Sequence, residues 1–141
     1  MEHLKSYFAG RPEILLAYLF GSAVTKRTHK LSDIDLAIYS EPILMRELNN
    51  KQPYGYQAAI LIDLMSLLRR NDIDLVILNR AKPLLAYEIV RSGDNIFCRS
   101  ENFRTEYEIK AFQKYMDTKK LRDIQDFYLI KRIKHGLFAK I

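Results

Sequence analysis

The chain has 141 residues and carries 23 Lys and Arg against 17 Asp and Glu, which gives a formal net charge of +6. A hydrophobic content of 48% with 28% charged residues is typical of a globular domain and excludes a disordered or fibrous protein. The longest uncharged stretch, residues 14–25, is too short to cross a bilayer, and the single cysteine excludes an internal disulfide. We therefore expect one cytoplasmic domain over residues 1–141 that has no membrane contact.

Helix and strand patterns alternate along the chain and predict an α/β fold. Leu4, Tyr7 and Phe8 have helical spacing, and this first helix should end near Gly10 and Pro12. The predicted strands are residues 14–20, 34–39, 73–78 and 95–99, and the next predicted helices are residues 56–70 and 83–91. Residues 23–31 are polar and predict a loop or a short helix between the first two strands.

Two segments are candidate contact surfaces. The helix over residues 56–70 is apolar nearly all round, so it lies in the core or faces a partner subunit. Residues 101–141 predict a C-terminal helical segment that is interrupted around residues 117–120, with ten basic and six acidic side chains. This basic excess is either the solvated face of a helix or a surface for nucleic acid or an acidic protein.

The most informative residues are two aspartates at the start of the second strand. Asp33 and Asp35 are two positions apart, so their carboxylates emerge on the same face, while Ile34 faces the opposite side. Carboxylates this close repel one another unless a cation lies between them. Hard divalent ions, above all Mg²⁺, prefer carboxylate and phosphate oxygens. The pair therefore indicates a two-metal site for phosphoryl or nucleotidyl transfer.

Two further features complete this candidate site. Gly21 and Ser22 follow the first strand, where glycine permits a sharp turn and close approach of a ligand, and Ser22 offers hydrogen-bond donors to phosphate. Asp74 lies in the otherwise apolar third strand, where a lone carboxylate needs a partner. Beside the other two acids it would share a metal and accept a proton from an attacking hydroxyl. Asp72, next to the Asn71 turn, is interpreted as a turn or cap residue.

The chain contains Gly21-Ser22, then ten residues, then Asp33-Ile34-Asp35, and a later strand carries Asp74. This pattern resembles the minimal nucleotidyltransferases of the DNA polymerase β superfamily. The resemblance extends over residues 14–116 and is strongest to the MntA-type antitoxins, which are encoded beside HEPN-domain toxins. It implies a small nucleotidyltransferase fold, a mixed sheet of about four strands flanked by helices. It also implies ATP as substrate, two Mg²⁺ ions as cofactors, and transfer of AMP to a tyrosine hydroxyl of the cognate HEPN ribonuclease toxin.

Mapped onto this sequence, the resemblance assigns Asp33, Asp35 and Asp74 to catalysis and metal binding, and Gly21 and Ser22 to nucleotide binding. The sequence departs from the family after Ala23, where Val24-Thr25-Lys26 replaces the customary Arg and Gly. Lys26 or Arg27 would have to supply a cation to the triphosphate from a different position. The nucleotide preference therefore stays open.

Other functions also stay open. A non-catalytic antitoxin would block its partner by binding alone, through the C-terminal helix and the helix over residues 56–70. Transfer to RNA or to a small molecule is disfavoured, because the sequence shows neither an aromatic and basic stacking platform nor a second domain to cover a small substrate. Nucleic acid is thus not the expected primary partner, and a homo-oligomer is neither indicated nor excluded.

Overall fold

The computed structural model describes residues 2–21 and 33–139, with side chains up to residue 136. The helices are α1 (Glu2–Ala9), α2 (Pro42–Lys51), α3 (Tyr56–Leu68), α4 (Pro83–Ser92) and α5 (Glu101–Ala139). The strands are β1 (Ile14–Phe20), β2 (Ile34–Ser40), β3 (Ile73–Ile77) and β4 (Asp94–Cys98). A 3-10 turn, Leu78–Arg80, follows β3. The predicted loop or short helix over residues 23–31 lies outside the described residues.

The four strands form one mixed sheet in the order β3-β2-β1-β4. β1 pairs with β2 and with β4 in antiparallel fashion, and β2 pairs with β3 in parallel. The connection between the parallel strands contains two helices, α2 and α3, as a parallel crossover requires. The predicted α/β fold with a mixed sheet of about four strands is therefore confirmed.

Each face of the sheet is covered by its own helices. On one face, α1 and α3 pack on Leu36, Ile38 and their neighbours to form the larger buried cluster. On the other face, α4 and the first turns of α5 cover Leu16, Tyr18 and Ala37. Because side chains alternate along a strand, Asp35 shares the face of Ala37 and not that of Leu36. The candidate site therefore belongs to the α4–α5 face.

Helix α2 was not predicted. No helix was expected between the predicted strand over residues 34–39 and the helix over residues 56–70, whereas Pro42 begins a helix of ten residues. Proline fits the first turn of a helix, and the Glu41 carboxylate accepts hydrogen bonds from the backbone N–H groups of Ile43 (3.2 Å) and Leu44 (2.8 Å). Glu41 thus caps α2, although glutamate is not among the residues most often found at this position.

The predicted interruption of the C-terminal helix at residues 117–120 is wrong, because α5 continues from Glu101 to Ala139. The Thr118 hydroxyl donates to the carbonyl oxygen of Lys114 at 2.9 Å, so it follows the helix instead of leaving it. The Arg122 guanidinium also bonds to the Thr118 hydroxyl and lies 4.9 Å from the centre of the Tyr115 ring. These contacts offset the weak helix preference of Asp117 and Thr118.

Helix α3 lies in the core, which settles one alternative left open by its apolar sequence. Its side chains Tyr56, Ile60 and Leu64 are fully buried, while Ile62 on its outer side is 57% exposed. The phenol of Tyr7 on α1 donates to the carboxylate of Asp63 on α3 at 2.7 Å, and this bond links the two helices. Among the described residues, no helix combines the length and the hydropathy needed to cross a membrane.

Candidate active site

The parallel pairing of β2 and β3 brings two of the predicted acids together. Asp35 is directly opposite Asp74 in the register, and adjacent strands are separated by about 4.8 Å. The backbone N–H of Ile34 donates to the carbonyl oxygen of Asp72 at 2.9 Å, which fixes this register at the first residue of β2. Asp33 lies one position before the strand and is exposed. All three acids therefore lie at the same end of the sheet.

The electrostatics of Asp35 show that the three carboxylates act on one another. The pKa of Asp35 is raised, first by partial burial and then by the negative charges of Asp74 and Asp33, with a hydrogen bond to Asp74 adding to the effect. Asp33 and Asp74 are exposed to solvent, whereas Asp35 is half-buried. A cation between these carboxylates would relieve the repulsion that raises this pKa.

Gly21, the residue after β1, leaves the space that the Asp35 carboxylate occupies. A methyl group added at Gly21 would lie 2.2 Å from Asp35 Oδ2, which is closer than any real contact. The backbone of Gly21 has φ +74°, a conformation that glycine adopts without the steric cost of other residues. The antiparallel pairing of Phe20 with Asp35 places the two positions side by side. The sequence analysis assigned Gly21 to nucleotide binding and missed this second role.

Asp72 lies near the three acids and has an arginine partner. The Arg70 guanidinium donates to Asp72 Oδ1 through Nε at 2.7 Å, and a second, shorter bond joins Nη2 to Oδ2. These hydrogen bonds lower the pKa of Asp72, in contrast to the raised pKa of Asp35. Its interpretation as a turn residue agrees with this local pairing.

The donor chemistry of the site fits a hard divalent cation, since carboxylate oxygens are the ligands that Mg²⁺ prefers. Within residues 2–21 and 33–139, however, no three His, Cys, Asp or Glu side chains form a complete metal-binding group. Asp35 and Asp74 are paired and Asp33 turns outward to solvent, so further oxygens must come from substrate or water. Ser22, Lys26 and Arg27 lie outside the described residues.

Comparison with known proteins gives one family match. The sequence matches the family described as polymerase beta, nucleotidyltransferase over residues 2–102, which include every predicted site residue. No curated protein matches the chain significantly.

Several solved structures share the fold. A toxin–antitoxin crystal structure with AMP-PNP is 25% identical, covers 91% of this chain and 97% of that chain, and has a TM-score of 0.64. The MntA–HepT toxin–antitoxin structure is 24% identical with coverages of 91% and 94% and a TM-score of 0.57. The tri-AMPylated HEPN toxin of Shewanella oneidensis in complex with MNT antitoxin gives 24% identity, coverages of 92% and 99%, and a TM-score of 0.56.

Proposed function

The chain belongs to the polymerase β family of nucleotidyltransferases, and from this premise we propose that it is an antitoxin that transfers AMP from ATP to a tyrosine of a HEPN ribonuclease toxin. The observation that carries the proposal is the pairing of Asp35 with Asp74 beside Gly21 at one end of the sheet. The similarity to a toxin–antitoxin structure that contains AMP-PNP supports both the ATP substrate and the antitoxin role.

In this proposal Asp33, Asp35 and Asp74 hold two Mg²⁺ ions, and Gly21 and Ser22 hold the triphosphate. When bound, the ions supply positive charge to the oxygens of the reacting phosphate. Asp74 accepts the proton of the tyrosine hydroxyl, because it is the acid of the pair that faces solvent, where the acceptor arrives. The tyrosine oxygen forms a bond to the α-phosphorus as the bond to pyrophosphate breaks, so the toxin gains AMP and pyrophosphate leaves.

The role of Asp35 follows from its environment. It is more enclosed than the other two acids, and its carboxylate lies against Gly21 where the first strand ends. Partial burial and then the charges of Asp74 and Asp33 raise the pKa of Asp35, so a bound cation would stabilise its charged form. Binding of metal together with the triphosphate therefore completes the site, and we expect nucleotide and metal to bind cooperatively.

A docking surface for the toxin is available on α5. Beyond Arg122 every described side chain of α5 is exposed, and the apolar ones have no neighbour from another element to cover them. The exposed apolar residues of this part are Ile124, Phe127, Tyr128, Leu129, Ile130 and Ile133. Lys131, Arg132 and Lys134 lie among them, so the surface combines apolar and basic character. This observation also favours a second candidate function, neutralisation of the toxin by binding alone.

The transfer reaction is tested with labelled ATP, Mg²⁺ and the purified toxin. We expect the Asp33→Asn, Asp35→Asn double variant to lose transfer by several orders of magnitude, since it removes two of the three carboxylates at the site. Asp72→Asn is the matched control, because Asp72 is close in sequence to Asp74 but paired with Arg70, and it should keep transfer near the wild-type rate. Label transfer by the double variant at the wild-type rate would overturn the proposal.

The same double variant separates catalysis from binding. If it still co-purifies with the toxin but no longer protects cells, AMP transfer is the neutralising step. If it protects cells as well as the wild type does, binding alone is sufficient. Label found on RNA or on a small molecule, and not on the toxin, would identify a different acceptor.

A further inference from the structure

A cavity of about 390 Å³ lies on the α4–α5 face, at the opposite end of β2 from the acids. Its walls come from four places in the fold: the end of β2, the 3-10 turn, the first turn of α4 and the middle of α5. Tyr39 and Asp35 are on the same face of β2 and four residues apart, which corresponds to about 13 Å along a strand. The cavity is thus separate from the three acids.

The polar groups of this cavity are donors. Lys110 and Lys114 line it from one face of α5, where residues four apart are neighbours about 6 Å from each other. Neither lysine forms a salt bridge with any side chain in the described part of the chain. The hydroxyls of Tyr39 and Tyr107 likewise have no hydrogen-bond partner among the described residues. Four donors, one from β2 and three from α5, are therefore available to a ligand in the cavity.

The two tyrosines remain donors at neutral pH. Burial raises the pKa of Tyr107, with the nearby Tyr39 adding to the effect, and burial also raises the pKa of Tyr39. Their rings are 5.2 Å apart, and the Phe103 ring lies at the same distance from Tyr39, so the side chains support one another. The one acid whose charge raises the pKa of Tyr39 is Glu41, and its carboxylate is already bonded to the N-terminus of α2.

The remaining walls are apolar and rigid. Leu78, Ala81, Ala86 and Ala111 present small or aliphatic surfaces. Asn79 also lines the cavity, and its amide is held by two hydrogen bonds to the backbone of Ser40, at 2.7 and 3.0 Å. Small side chains next to aromatic rings leave room for a flat group, and the volume suits a small molecule and not a polymer. A second cavity shares Tyr39 and Asn79 and adds Arg46 and Arg80, so the positive character continues around the tyrosine.

We propose that this cavity binds a nucleoside monophosphate, with the phosphate between Lys110 and Lys114 and the base against the apolar wall beside Tyr39 and Tyr107. A phosphate requires charged donors, and Lys110 and Lys114 supply them. A base requires apolar surfaces and aromatic rings, and Leu78, Ala81 and Ala86 together with the two tyrosine rings supply these. The site does not depend on the proposed transfer reaction, because none of its residues belongs to the acid cluster.

The probe is AMP, added in the presence of EDTA. Without metal the three carboxylates repel phosphate, so binding at the acid cluster is suppressed while a cationic cavity is unaffected. Inorganic phosphate and ribose 5-phosphate, measured by the same calorimetric titration, test which part of the ligand the cavity recognises. We expect AMP to bind more tightly than either fragment and to raise the melting temperature of the protein.

The Lys110→Gln, Lys114→Gln variant should bind AMP at least about tenfold more weakly, because each charge-assisted hydrogen bond contributes about this factor. Lys119→Gln with Lys120→Gln is the matched control on the same helix, outside the cavity, and should bind as the wild type does. Tyr107→Phe should weaken binding without unfolding the protein, since the ring remains.

Two results would overturn the proposal: no AMP binding in EDTA, or binding that survives the Lys110 and Lys114 substitutions. Equal affinity for AMP and inorganic phosphate would refute the part that concerns the nucleoside. The transfer assay is independent of these measurements, so failure of one proposal does not imply failure of the other.

Discussion

Replacing Gly21 by alanine perturbs the candidate site by one methyl group. The added carbon would lie 2.2 Å from Asp35 Oδ2 and 3.2 Å from the carboxyl carbon of the same side chain. The backbone at Gly21 has φ +74°, which alanine adopts only at a cost of about 1–2 kcal/mol. The substitution therefore acts twice, on the backbone of the turn and on the position of the carboxylate.

The size of each effect follows from the geometry. An ordinary contact begins at 3.4 Å, so the carboxylate must move by more than 1 Å to accommodate the methyl group. A displacement of about 1 Å at a reacting centre reduces the rate by roughly 100-fold. The backbone cost of about 1–2 kcal/mol lowers the melting temperature of a domain of this size by roughly 3–8 °C. We expect both losses in the Gly21→Ala variant.

The assays are thermal unfolding and AMP transfer, with Gly10→Ala as control. A methyl group at Gly10 would lie 3.6 Å from the carbonyl oxygens of Ser6 and Tyr7, an ordinary contact, so this variant should match the wild type in both assays. Adding Asp35→Ala to Gly21→Ala removes the group that clashes and should recover part of the stability but none of the activity. Wild-type stability and activity in Gly21→Ala would refute the reasoning.

Three other predictions concern charge and hydrogen bonding. The pKa of Asp35 is raised in the folded state, so its contribution to stability is lost as the pH rises through that pKa. In urea titrations Asp35→Asn should therefore gain stability relative to the wild type as the pH increases above 4. A stability difference that does not depend on pH would contradict this. Glu41→Ala should lose about 0.5–2 kcal/mol in the free energy of unfolding because it removes the cap of α2. Glu47→Ala, on the exposed side of the same helix, should lose little, and equal losses in the two variants would argue against capping. Arg99→Ala should lose about 1–3 kcal/mol in the free energy of unfolding, because the Arg99 guanidinium donates to the carbonyl oxygens of Phe8, Arg11 and Ile14. Arg91→Ala, which breaks an exposed ion pair, should lose less in the same urea titration.

The four strands were predictable because their apolar runs are bounded by turn residues, and each lies within one residue of its expected position at both ends. Helix α2 was not predicted because a proline such as Pro42 occurs both after the end of a strand and in the first turn of a helix. The Glu41 carboxylate, which caps α2, shows that Pro42 begins a helix. The continuity of α5 was missed because local preference at Asp117 and Thr118 is weak, and Arg122, a turn further on, stabilises the segment.

The spacing of Asp33, Asp35 and Asp74 could be read from the chain, because alternation places residues two apart on one face. The parallel register that puts Asp35 opposite Asp74 is a pairing between strands, and no local pattern encodes it. The contact between Gly21 and Asp35 is of the same kind, since it depends on the register of β1 and β2. The positions of the acids are thus described by the structure, and their catalytic roles stay a prediction.

One feature that opposes folding lies at this end of the sheet. The carboxylates of Asp35 and Asp74 are neighbours, and partial burial followed by the charges of Asp74 and Asp33 raises the pKa of Asp35. Gly21, with its positive φ, is the residue that makes room for this unfavourable pair. Asparagine at position 35 would fit the same space and remove the repulsion. Packing alone therefore does not explain why this position carries a charged carboxylate. A bound cation would offset this repulsion, so we expect metal together with nucleotide to stabilise the folded protein.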